Sequence, residues 1–194
     1  MRQIRLAVFV GALVWATAAV TPAPILAQSD PAAVATAEPW PDADPADVES
    51  MDAIIAALYD VISGPAGERR DWDRFRSLHI PQARLIPTGK APDGAIGHRV
   101  MGVEDYAIQS GPFLEERGFF ESETARTTET FGQIAHAFST YESRWNADDV
   151  EPFSRGINSI QLLNDGERWW IVTIFWAAER DDLPLPKRYL HGGA

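Results

Sequence analysis

The sequence predicts an α+β domain in which three N-terminal helices pack on a strongly curved antiparallel sheet. Helical periodicity is confined to the first half of the folded region, and strand-like segments to the second half. The stretch Ser154 to Glu179 then reads as two long strands joined by an Asn164-Asp165-Gly166 turn. Elements segregated in this way stack their helices on one side of a sheet. In strict alternation the final strand sets Trp169, Ile171, Thr173 and Phe175 on one face, and Trp170, Val172, Ile174 and Trp176 on the other. Both faces are apolar, so both require cover. A second subunit is the simplest lid for the face turned away from the helices, which leads to the expectation of a homodimer packed through the sheet.

The elements follow in order. Asp44-Pro-Ala-Asp47 supplies a cap, a proline at the first helical position and an acid in the first turn. Val48, Met51, Ile54, Ile55, Leu58 and Ile62 recur at helical spacing until Gly64-Pro65, predicting one helix over this stretch. A second helix opens at Asp71, carries Trp72, Phe75 and Leu78, and ends before Pro81. Ala83 to Ile86 reads as a brief strand and Pro87 to Gly97 as a loop. A third helix runs from Val103 through Gly111-Pro112 toward Glu116. Phe120 to Phe131 and Ile134 to Arg144 are strands about a Gly132-Gln133 turn, and Trp145 to Phe153 is a loop before the final hairpin.

The N-terminus reads as an export signal. Arg2 and Arg5 precede the apolar run Leu6 to Val20, and Ala27 closes a small-residue cleavage site, so residues 1–27 are expected to be removed. The apolar run is shorter than the roughly 20 residues a membrane span needs, which predicts no stable membrane anchor after cleavage. A periplasmic or extracellular address follows. Residues 28–43, rich in Ala, Pro and Asp without a period, read as a flexible leader. The domain is assigned to 44–180 and a C-terminal tail to 181–194.

The chain has no cysteine, so neither disulfides nor a thiol-linked lipid anchor is available. Without residues 1–27 it holds 15 basic and 28 acidic residues, a net charge of −13. That balance repels phosphate backbones and argues against nucleic acid as a partner. The histidines at 79, 98, 136 and 191 show no ligand spacing, and the sequence has neither a phosphate-binding glycine loop nor a nucleophile elbow. No metal and no cofactor is expected.

The element order, the passage Trp72-Asp-Arg-Phe-Arg-Ser-Leu-His-Ile-Pro-Gln-Ala-Arg-Leu85, and the stretch Ile157 to Glu179 ending in Phe-Trp-Ala-Ala-Glu resemble the nuclear-transport-factor-2-like (NTF2-like) superfamily. This group includes SnoaL-like and ketosteroid-isomerase-like proteins. The resemblance spans roughly Asp47 to Glu179 and implies a cone-shaped fold with a pocket between helices and concave sheet. Tyr59 falls at the place where the ketosteroid isomerases carry an oxyanion-binding tyrosine. Their catalytic base would fall near Pro87, and their protonated acid near Gly156. Neither residue can transfer a proton, so the resemblance does not extend to ketosteroid isomerase chemistry.

Expected pocket residues are Tyr59, Trp72, His79, Tyr106, Asn158 and Trp176. His79, at a helix end, is a candidate acid–base group with Tyr59, or else a histidine bonded to a last helical carbonyl. His136 shares a strand face with Phe138 and Thr140, which suits packing. Tyr106 and Tyr141 offer a ring to the core and a hydroxyl to a ligand. Asn158 is a polar residue in an otherwise apolar strand, and Trp176 is a pocket wall or core. The expected activity is binding of a small hydrophobic organic molecule in the pocket. The alternatives are a cofactor-independent lyase, isomerase or hydrolase using a His/Tyr pair, and an interaction module engaging partners through the sheet or the tail Leu183 to Leu190.

Overall fold

The computed structural model describes residues 40–190; the expected export signal and all but the last four residues of the expected leader lie outside them. Trp40 and Ala43 already pack on the core, and the Trp40 indole donates to the His79 carbonyl at 2.8 Å, so ordered packing begins ahead of Asp44.

The predicted first helix is two. Helix α1 covers Pro45–Val48 and α2 covers Met51–Ile62. The break lies at Ser50, whose backbone is extended and whose hydroxyl accepts from the Ala53 amide at 3.0 Å, restarting the helix with its own cap. Helix α3 covers Trp72–Leu78, capped by Asp71, and α4 covers Val103–Arg117. Gly118, at φ +72° with the Trp145 carbonyl against its missing Cβ, ends α4 in a conformation suited to glycine.

Buried Arg70 ties these helices together. Its guanidinium donates to the carbonyls of Ile62 at 2.9 Å, Gly64 at 2.6 Å, Glu68 at 2.6 Å and Leu114 at 3.1 Å. Carbonyls at the end of α2 and late in α4 thereby gain one shared donor.

Six strands form one sheet: β1 (His79–Lys90), β2 (Ile96–His98), β3 (Phe120–Phe131), β4 (Ile134–Arg144), β5 (Ser154–Asn164) and β6 (Trp169–Ala178), in the order β2-β1-β6-β5-β4-β3. The sheet is mixed, because β1 runs parallel to β6 while every other pair is antiparallel. No hairpin joins β1 to the distant β6, so nothing local forces them antiparallel. β1 is longer than the expected Ala83–Ile86, and the expected Pro87–Gly97 loop holds its end and the start of β2. Pro81 lies within a register break between His79 and Arg84, where a missing amide donor is tolerated.

A bulge rearranges the final strand. Gln161 pairs with Thr173 and Leu162 with Ile171, which leaves Val172 as the extra residue. Trp169, Ile171, Ile174 and Trp176 consequently all face the helices, whereas Trp170, Thr173, Phe175 and Ala177 face outward. Strict alternation had divided these residues differently, and the expected two-faced apolarity is largely one inner face carried across a bulge. A second bulge at Thr124 in β3 puts Glu121, Glu123 and Arg126 on the inner face.

Part of the outer face is covered by the chain itself. The tail runs from Arg180 to a single 3-10 turn at Lys187–Tyr189, where the Tyr189 carbonyl accepts from Thr140 Oγ1 at 2.6 Å and its ring packs 5.0 Å from Phe138.

Candidate functional site

The concave face of the sheet and the helices enclose a cavity of about 280 Å³. Its walls are mostly aliphatic and aromatic: Leu58 and Ile62 of α2, Phe75 of α3, Ile174 and Trp176 of β6, with Phe119 and Phe153 toward the loop side. Phe75 stacks on Tyr106 at 5.3 Å, and Tyr106 meets Trp176 edge to face at 6.4 Å, giving a continuous aromatic wall.

Into this wall the strands insert a polar line. Ser143 of β4 pairs across from Glu121 of β3, and its hydroxyl donates to Glu121 Oε2 at 2.8 Å. Asn158 of β5, only 7 % exposed, donates through Nδ2 to the Tyr59 hydroxyl at 3.1 Å and to Glu121 Oε1 at 3.4 Å. Ser139 donates to Glu123 at 2.5 Å, and the Tyr59 hydroxyl lies 2.7 Å from Ser139 Oγ. Because the Ser139 proton goes to the carboxylate, the Tyr59 proton goes to Ser139. Tyr59 therefore accepts from Asn158 and donates away from the cavity, so it is structural in this arrangement rather than an oxyanion donor.

Glu121 is the chemically distinctive group. The residue as a whole is half-buried, but its carboxyl is packed into the apolar wall, and that desolvation pushes it up to about 7 against the opposing donors Ser143 and Asn158. Burial, followed by the nearby Glu121 charge, pushes the Tyr141 hydroxyl up to about 12 and raises Tyr106 as well. Ser154 hydrogen-bonds the Tyr141 hydroxyl and Ser110 that of Tyr106, and each offsets part of the rise. Gly156 makes room for Tyr141, because a Cβ there would fall 2.5 Å from its hydroxyl oxygen.

Of the expected pocket residues, Tyr59, Tyr106, Asn158 and Trp176 line the cavity together. Trp72 does not; it packs edge-on against Phe75 at 5.4 Å and Tyr106 at 6.3 Å, behind the wall. His79 does not line it either. It is 0 % exposed, its Nδ1 lies 2.7 Å from the Phe75 carbonyl, and its ring sits 4.5 Å from the Phe75 ring. Burial pulls its pKa down to about 4, so it is neutral, and no hydrogen bond joins it to a tyrosine. His136 is on the outer face, bonded to Ser159 Oγ at 2.8 Å. Glu121 escaped the sequence reading because Phe120 to Phe131, rich in Thr and Glu, looks like a solvated strand. Among the described residues no group of three His, Asp or Glu side chains is arranged to hold a metal.

No protein-family model matches the chain, and no curated protein shows significant similarity to it. Solved structures do match in fold. A Nostoc punctiforme protein of unknown function with a cystatin-like fold superposes with a TM-score of 0.51 at 10% identity, over 68% of this chain and 90% of that one. LinA superposes with a TM-score of 0.51 at 10% identity, over 75% and 92%. The chain has the NTF2-like fold. A Salmonella enterica member of the NTF2-like superfamily superposes less closely, with a TM-score of 0.47 at 15% identity over 69% and 87%. At these identities the NTF2-like likeness describes architecture, a cone enclosing a cavity, while chemistry must be read from the lining.

Proposed function

We propose that the cone cavity binds a small, largely apolar organic molecule and holds one polar group of that molecule against Glu121. The observation that carries this reading is a carboxyl group set in an aromatic-walled cavity, with the Tyr106 and Tyr141 hydroxyls nearby. A cavity of about 280 Å³ falls just below the roughly 300–1,000 Å³ of drug-sized sites, which points to a compact ligand. Few polar groups among many apolar ones is the composition that orients such a ligand. A thermal-shift panel of compact cyclic ketones, phenols and lactones tests it on the chain beginning at Gln28. At least one class should raise the melting temperature, and Glu121→Gln should change that response; a panel inert toward both proteins would overturn the reading.

A second reading, proton transfer, is favoured by the protonation range of Glu121. A carboxyl near 7 is populated in both forms at neutral pH, which suits general acid–base work worth typically 10²- to 10⁴-fold. Tyr106 or Tyr141 would donate to a ligand carbonyl while Glu121 takes the proton from the adjacent carbon. Exchange of that carbon's protons in D₂O, followed by NMR on a bound ketone, should be fast with the native protein and lost in Glu121→Gln.

Export rests on residues 1–27. N-terminal sequencing of the secreted protein should begin at Gln28.

A further inference from the structure

We propose that the groove between the outer sheet face and the C-terminal strap is a second binding site, for a single-chain amphipathic carboxylate. Its floor lies on the opposite face of the sheet from the cone cavity, and the two share Thr88, Trp176 and Ala178 along the β1–β6 pair.

The strap consists of residues 180–189 and is fastened at both ends. Near its start Arg180 and Leu183 exchange backbone hydrogen bonds, and Asp182 pairs with Lys90 at 2.5 Å and Arg180 at 3.0 Å. At its far end Tyr189 is held by Thr140 and Phe138. Between these points Pro184 and Pro186 have no amide to donate, so this stretch cannot be zipped onto the sheet as a continuous strand. The strap therefore bounds a groove of about 380 Å³.

The groove floor is Phe138, Ile157 and Phe175, and its rim includes Leu183, Leu185 and Tyr189. Phe175 is 47% and Leu183 46% exposed, so an apolar track at the mouth is left to water. Two charged residues line it. Glu179 is already neutralised, accepting from Arg155 at 2.7 Å and from the Leu185 amide at 2.8 Å. Arg188 has no ion-pair partner among the described residues and lies over the Tyr189 ring at 4.7 Å.

An apolar slot with one available guanidinium selects an apolar chain ending in a single negative charge. A carboxylate matches the planar fork of arginine in a bidentate pair. In a chain this acidic, an anion would be repelled elsewhere and retained only beside such a cation.

Decanoate, below its micelle concentration, is the probe, titrated into the chain beginning at Gln28 and followed by calorimetry and methyl NMR. One equivalent should bind saturably, shifting the Ile157 and Leu185 methyls and leaving Leu58 and Ile62 of the cone unshifted. Arg188→Gln should weaken it by about tenfold, the loss of one charged hydrogen-bonding partner. Methyl decanoate should bind the native protein and Arg188→Gln with equal, lower affinity. Ile157→Trp should abolish binding, and Glu121→Gln should leave it unchanged. Shifts confined to the cone methyls, loss of binding in Glu121→Gln, or no saturable binding would overturn the assignment. So would a concentration-dependent dimer buried through Phe175 that decanoate does not perturb.

Discussion

The Asn158 side-chain amide reaches the Tyr59 hydroxyl at 3.1 Å and so decides which way the tyrosine proton points. With that donor on one side and Ser139 on the other, Tyr59 joins α2 to β4 and β5 inside the core. Glu121, reached by the same amide, is left as the titratable group of the cavity.

Glu121 should make the fold more stable in acid than an ordinary carboxylate would. Its folded pKa, about 7, lies above the ordinary 4.5, so between these values the folded state holds a proton that the unfolded chain has released. Stability from this group is full below about 4.5 and falls as pH rises toward 7, by roughly 2–4 kcal/mol. Glu121→Gln should therefore gain stability relative to the native protein at pH 8 but not at pH 4.5. Urea unfolding of both proteins at the two pH values checks this, and an equal difference at both would count against it.

His79 acts with the opposite sign over the same range. Its folded pKa, about 4, lies below the ordinary 6.5, so its contribution is complete above 6.5 and is lost as pH falls toward 4. The two slopes offset in the native protein. Glu121→Gln should uncover the histidine slope, and the His79 ring resonances should not titrate above pH 5 by NMR. A midpoint between 6 and 7 would show that the ring is reached by water.

Arg70 should not tolerate lysine. Three carbonyls on the stretch 62–68 and one on α4 share its planar donors, and an ammonium cannot reproduce that fork. Arg70→Lys should cost about 2–4 kcal/mol in chemical unfolding through the acceptors it leaves unsatisfied. A cost below 0.5 kcal/mol, the usual range for an exposed site, would mean that these bonds are replaced by water.

The bulge at Val172 sorts β6 into costly and cheap positions. Ile171→Ala should cost about 2–5 kcal/mol, because a fully buried side chain leaves a cavity. Phe175→Ser should cost under about 1 kcal/mol, since Phe175 faces out and is nearly half exposed. Strict alternation would group the two residues, so similar costs would contradict the bulge.

Much of the architecture was legible because it follows from periodicity and punctuation. The Ile54 to Ile62 stripe, the Gly64-Pro65 stop and the Asn164-Asp165-Gly166 turn each act locally, and each stands where expected. The parallel pairing of β1 with β6 was not legible, since no local signal links strands so far apart. Bulges were equally hidden, and one extra residue at Val172 changes which tryptophans face the core. For the cavity wall, Tyr59, Tyr106, Asn158 and Trp176 were legible because aromatic and amide groups stand out against their strands and helices. Glu121 did not stand out in a strand full of Thr and Glu. Only its hydrogen-bond donors, Ser143 across the strand pair and Asn158 from β5, distinguish it from the solvated acids around it.

The most direct measurement is the carboxyl titration of Glu121, by ¹³C NMR on glutamate-labelled protein with Glu121→Gln to assign the resonance. A midpoint near 7 is the predicted result. A midpoint at or below 4.5 would contradict the account, because the carboxyl would then be solvated and the cavity would have no protonatable centre to offer a ligand.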